Sequence, residues 1–181
     1  MASQLSALED RPVPSKRHFP KLVEGMIQIY AAPHRHFFVH VMAQALQQAG
    51  QGTSVLIVQF LKGGINQGPN NPVHLGQNLT WLRCDISRCI TTSTIEEHER
   101  VALLALWNHV QKVVLDGHYS LVILDELSLA VHWQLIPLPD VLRFLKHRPS
   151  HVDVAISGPE IPAAIMDMAD QVTELRRSYR E

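Results

Sequence analysis

Two uninterrupted apolar runs set the terms for this chain. Ser54-Val-Leu-Ile-Val-Gln-Phe60 and Ser120-Leu-Val-Ile-Leu-Asp-Glu126 show no alternation of polar and apolar residues. A strand of that kind is covered on both faces, as in a parallel sheet. Parallel neighbours cannot be joined by a tight turn and need a long crossover, usually a helix. The sequence supplies one between the two runs. Leu103, Leu106, Trp107, Val110 and Val114 recur on one helical face. Ser93 or Thr94 followed by Glu96 and Glu97 marks an acidic start, and Asp116-Gly117 marks the stop.

The remaining segments repeat this alternation. Met26 to Tyr30 is short and β-prone, and Val41, Met42, Ala45, Leu46 and Ala49 trace the apolar face of a helix that stops at Gly50-Gln-Gly52. Lys62-Gly-Gly64 ends the first apolar run, and residues 64–77, rich in Gly, Asn, Gln and Pro, are expected to be loop. Asn78 to Leu82 is a further short strand. Pro139 to His147 reads as a helix with proline in its first turn. Val152 to Ile156, Pro162 to Met168 and Gln171 to Leu175 read as strand, helix and strand. Strands alternating with helices predict an α/β fold with a mainly parallel sheet. Ligands of such sheets bind at the carboxyl ends of the strands. That draws attention to Tyr30 to Phe37, Phe60 to Gly64, and Asp125-Glu126.

Composition narrows the function classes. With 181 residues the chain has the size of one domain, at roughly 100–200 residues each. Sixteen Lys and Arg against 17 Asp and Glu leave a formal charge of −1. That excludes a generic polyanion binder, because nonspecific nucleic-acid binding rests on a basic footprint. No apolar run approaches the ~20 residues of a membrane-spanning helix, and Met1 to Pro20 lacks the apolar centre of a signal peptide. Two cysteines, Cys84 and Cys89, are too few for a disulfide framework, so a reducing cytoplasm is expected. Residues 1–23 mix Ser, Pro and charge without a period and predict a mobile arm. Residues 24–181 form the expected domain. Eleven histidines make the charge sensitive to pH just below neutrality.

Five segments in order, Val58-Gln-Phe-Leu-Lys-Gly63, Val122-Ile-Leu-Asp-Glu-Leu127, Arg148-Pro149, Ser157-Gly158 and Ala169-Asp-Gln-Val-Thr-Glu174, resemble the P-loop-type corrinoid adenosyltransferases. The likeness runs from about Gly25 to Arg176. It implies a three-layer P-loop NTPase-like fold with helices on both faces of the sheet, and a homodimer. The activity it implies is transfer of the adenosyl group of ATP to the reduced cobalt of cob(I)alamin or cobyrinic acid a,c-diamide, with Mg²⁺. It also implies that Lys62, Asp125 and Glu126 are the retained part of the nucleotide and metal site, Glu126 helping to hold Mg²⁺. Thr173 and Glu174 are retained as well.

The phosphate loop is where this chain departs from that family. The family's first strand enters a glycine-rich loop ending in Gly-Lys-Thr-Thr. Glycines there let backbone N–H groups close on the phosphates, Lys adds positive charge and Thr holds Mg²⁺. An ungapped reading anchored on Gly50 and Gly52 places Ala31-Ala-Pro-His-Arg-His-Phe-Phe-Val39 at that point. The lysine falls on Phe37 and the metal-binding threonine on Phe38, while the glycines fall on Ala32, His34 and His36. Pro33 removes a further N–H. Each charge-assisted hydrogen bond to a phosphate is worth ~1.5–3 kcal/mol, so these changes remove several at once. Arg35 is the one residue of the loop with a permanent positive charge. After the third strand the family's Thr-Gly-Arg becomes Ser157-Gly158-Pro159, and with Glu181 as the last residue the family's C-terminal extension is expected to be missing.

The sequence therefore predicts a homologue that has lost its phosphate-binding loop and acts by binding a corrinoid or a protein partner, with no cofactor of its own. Two alternatives stay open. One is an active adenosyltransferase using ATP, Mg²⁺ and a corrinoid, with the nucleotide held by Arg35, Lys62 and Glu126. The other is a metal- or pH-responsive module built on histidine, since His36 and His40 are four residues apart and can share a helix face. Asp125-Glu126 reads either as a relic of a metal–nucleotide site or as a solvated strand end. Cys84 and Cys89 read either as part of a metal site with His98 or as unpaired thiols. Phe37, Phe38 and Trp133 offer apolar surface for a corrin ring or for a partner protein. Trp81 is open between packing and function.

Overall fold

The structure, a computed structural model, describes residues 24–35 and 39–175. The elements in chain order are β1 (Ile27–Ala31), α1 (Val39–Gly50), β2 (Val55–Gln59), β3 (Val73–Leu75), β4 (Leu79–Arg83), α2 (Glu97–Leu115), β5 (Leu121–Asp125), α3 (Leu127–His132), α4 (Leu138–His147), β6 (Asp153–Gly158), α5 (Ala163–Met166) and β7 (Gln171–Glu174). The seven strands form one sheet in the order β3-β4-β2-β5-β6-β1-β7. All pairings are parallel except β3 with β4. The expected α/β class with a mainly parallel sheet is the observed one.

The two apolar runs are β2 and β5, adjacent at the centre and buried at every position. Alternate residues divide the core in two. Leu56, Val58, Val122, Leu124, Val154 and Ile156 face a large cluster with Trp107, Leu127, Phe144 and Ile165, so α2, α3, α4 and α5 cover that face. Val55, Ile57, Leu121, Ile123 and Ala155 face Val41, Met42, Ala45 and Ala49 of α1. Four of the five apolar positions read on α1 are buried, but Leu46 is 49% exposed. Among the described residues no helix is long and apolar enough to cross a membrane.

Three local expectations need correction. The stretch 64–77 is not all loop, because Val73–Leu75 pairs antiparallel with Leu79–Trp81. Its residues are all exposed, so the strand owes its form to backbone pairing and not to an apolar pattern. Helix α2 starts at Glu97 with Glu96 at the N-cap, later than Ser93 or Thr94. The Glu96 N–H donates to Glu99 Oε2 at 2.9 Å, the closing bond of a capping box. Helix α3, directly after β5, has no counterpart in the sequence reading: five of its six residues are buried, which erases the amphipathic period that would announce it. The arm 1–23 lies outside the described residues.

Candidate functional site

The carboxyl ends of β2, β5 and β6 place Gln59, Asp125 and Ser157 in one register row. Side chains of one row share a face, and these three meet. Asp125 is fully buried. Its Oδ2 accepts hydrogen bonds from Gln59 Nε2 (2.9 Å) and Lys62 Nζ (2.8 Å), and its Oδ1 accepts one from Ser157 Oγ (2.8 Å). A buried carboxylate is stable only if paired and hydrogen-bonded, and both conditions are met. The row continues outward through β4. Gln59 Oε1 accepts from Trp81 Nε1 at 3.2 Å and from Arg83 Nε at 2.9 Å.

Glu126 faces a different partner. At φ 62°, ψ 17° it lies in the left-handed region, which costs a residue with a Cβ about 1–2 kcal/mol. Its N–H donates to the Ser157 carbonyl at 2.8 Å, and the turn aims its 3%-exposed side chain at Arg35. Arg35 Nε donates to Oε1 at 2.7 Å and Nη2 to Oε2 at 2.6 Å. The guanidinium's third hydrogen bond runs from Nη1 to the Ile90 carbonyl at 2.7 Å. The hydrogen bond to Glu126 raises the already high pKa of Arg35 further. Gly158 makes room for this turn: at φ 147°, a Cβ there would lie 2.5 Å from Ser128 Oγ.

The segment that receives Arg35 is itself fixed. Ile90 N–H donates to the Leu61 carbonyl at 2.9 Å. Gly63 lies so close to the Ile86 and Arg88 carbonyls that any side chain would collide with backbone. Arg88 pairs with buried Glu99, with Nε to Oε1 and Nη2 to Oε2 both at 2.7 Å. The backbone N–H of Glu96, then Arg88, hold the Glu99 carboxyl below its usual pKa against the opposing effect of burial. Burial pushes the Cys84 thiol up to about 12, so it is protonated at neutral pH. Cys89 is exposed, and both cysteines are free.

Lys62, Asp125, Glu126 and Arg35 are thus gathered at one end of the sheet. Ala32 is half-buried, whereas Pro33 and His34 are exposed. His36, Phe37 and Phe38 lie outside the described residues, and with them any test of the His36–His40 pair. The His40 ring packs edge-on to Tyr30 with centroids 5.4 Å apart. The suggested Cys84–Cys89–His98 site does not form: no group of three metal-ligating side chains occurs among the described residues. His98 Nδ1 lies 3.2 Å from Glu96 Oε2 instead. The solvated strand end is also overturned, because Asp125 and Glu126 are both buried. Trp133 ends α3 half-buried against the larger core cluster. Thr173 and Glu174 lie in β7 beside Tyr30 and Ala31. The site also includes Gln59, Arg83 and Ser157, which no sequence motif marks as site residues. Gln59 carried a signal, being the one polar residue inside a run buried on both faces.

Residues 24–180 match the model of the family described as ATP:corrinoid adenosyltransferase BtuR/CobO/CobP. Corrinoid adenosyltransferase CobA of Salmonella typhimurium is 28% identical over 160 residues, covering 84% of this chain and 76% of its own length. A corrinoid adenosyltransferase of Escherichia coli is 26% identical with the same coverage. An uncharacterized protein of Nostoc sp. is 27% identical over 155 residues, 78% of this chain and 41% of that one. With parallel order, strand-end carboxylates and nearly the whole described sequence in agreement, the chain belongs to the ATP:corrinoid adenosyltransferase family.

Proposed function

We propose that this chain is a corrinoid-binding member of its family that does not transfer the adenosyl group of ATP. The carrying observation is the two-pronged ion pair between Arg35 and Glu126. A divalent cation at Glu126 needs a carboxylate oxygen. Here both oxygens are engaged in charge-assisted hydrogen bonds, each worth ~1.5–3 kcal/mol. Freeing them would also leave a guanidinium facing the incoming cation. Asp125 is equally committed, to Lys62, Gln59 and Ser157. In the preceding loop Ala32, Pro33 and His34 replace residues that would bare backbone N–H groups, and the sequence places Phe37 and Phe38 where lysine and threonine would meet phosphate. A magnesium–nucleotide pair does not fit these donors. The corrinoid as ligand class comes from the name of the relatives.

Calorimetry with MgATP and separately with hydroxocobalamin tests both halves, alongside an adenosylation assay on cob(I)alamin. The expected result is corrinoid binding, no nucleotide heat up to millimolar concentration, and no adenosylcobalamin. Micromolar MgATP affinity with product formation would overturn the proposal in favour of an active transferase holding the nucleotide through Arg35, Lys62 and Glu126. Absence of corrinoid binding would overturn the ligand class.

A further inference from the structure

At the outer end of the same row lies a cation that pairs with no anion among the described residues. Arg83 closes β4, is half-buried, and has its guanidinium carbon 5.9 Å from the centroid of the Trp81 ring. Its Nε is spent on Gln59 Oε1. No described residue accepts a hydrogen bond from Nη1 or Nη2.

Three features separate this from an arginine merely lying over an aromatic ring. First, the acceptor that orients it is held at both ends: Gln59 Oε1 takes Trp81 Nε1 and Arg83 Nε, while Gln59 Nε2 is anchored on buried Asp125. The amide cannot flip, so the guanidinium plane is set in advance. Second, a guanidinium offers two bidentate edges, one using Nε and one using only the terminal nitrogens. Gln59 occupies Nε, which leaves the terminal edge, a fork that matches two oxygens of a carboxylate or phosphate. Third, the groups that touch Arg83 are neutral: Gln59 and Trp81 carry no charge, and Asp125 at the far end of Gln59 already accepts from Lys62 and Ser157. A half-buried net positive charge beside a partly buried indole is incompletely screened and attracts an anion.

We infer that Arg83, oriented by Gln59 and Trp81, is an anion-recognition subsite at the end of β4 that takes a carboxylate or phosphate group of a ligand on its terminal guanidinium edge. The subsite is distinct from the Arg35–Glu126 pair and is independent of whether a nucleotide or a corrinoid binds.

The test is a titration of the full chain with inorganic phosphate, with acetate and with chloride, at constant ionic strength, following the Trp81 indole N–H resonance in ¹H–¹⁵N spectra. A saturating shift with phosphate or acetate but not with chloride is expected, and the tighter of the two names the ligand group. Arg83→Gln should weaken it at least tenfold. Arg83→Lys, which keeps the charge and loses the fork, should weaken it severalfold, and Arg143→Gln, at an exposed arginine elsewhere, should leave it unchanged. Absence of saturation, an equal response to chloride, or full retention in both Arg83 variants would overturn the inference. Each outcome leaves the MgATP and corrinoid measurements unaffected, so the two proposals fail separately.

Discussion

Arg35, just after β1, and the carboxylates at the end of β5 meet at one end of the sheet, and the two regions differ in how they treat charge. The end of β5 keeps two carboxylates and buries both. The segment after β1 contributes Arg35, a permanent cation that pairs with the second of them. Asp125 has extended backbone, no exposure and a mixed shell of amide, hydroxyl and ammonium donors. Glu126 has a left-handed backbone, slight exposure and a single guanidinium across both oxygens. The lesson is that two adjacent carboxylates can be satisfied by unlike shells, one by several donors from its neighbourhood and the other by a single guanidinium from a distant segment.

Removing each cation in turn probes the contrast. Lys62→Met should have the largest effect, since Asp125 has no access to water. Breaking a buried pair costs ~3–5 kcal/mol, and with Lys62 itself 21% exposed a loss of about 3 kcal/mol in urea unfolding is expected. Arg35→Met should cost less, about 2 kcal/mol, because Arg35 is 29% exposed and solvent screens the pair more. Adding Glu126→Gln to Arg35→Met should recover part of that loss. Full additivity of the two substitutions would break the account of a coupled pair. The smallest effect concerns the wall that receives Arg35. Glu99 titrates below its usual value, so its contribution is present above the unfolded-state pKa near 4.5 and is lost as pH falls below that, through the folded value. Arg88→Met should flatten the acid limb of stability against pH, and an unchanged limb would remove Arg88 as one cause of the shift.

What the sequence disclosed follows the same physical lines. Runs buried on both faces, such as β2 and β5, carry their burial in composition, and the stripe from Leu103 to Val114 carries its period. Strand β3 was hidden because Val73, His74 and Leu75 are exposed and owe their form to pairing with β4. Helix α3 was hidden because it is buried almost all round. At the site, Lys62, Asp125, Glu126 and Arg35 could be named from chain position and charge. Their pairing could not, since Arg35 and Glu126 lie 91 residues apart and meet only because β1 and β5 flank β6. Arg83 is not legible in the sequence because one arginine at the end of a short strand has no pattern of its own.

Arg35 also grips position 90 by its peptide oxygen and not by its side chain. Every amino acid carries that acceptor, so drift in residue type there leaves the bond in place. A single-residue deletion between Cys84 and Ile95 would instead shift which carbonyl is presented. The clasp between these two surface segments is thus encoded in segment length, a property inherited separately from residue identity.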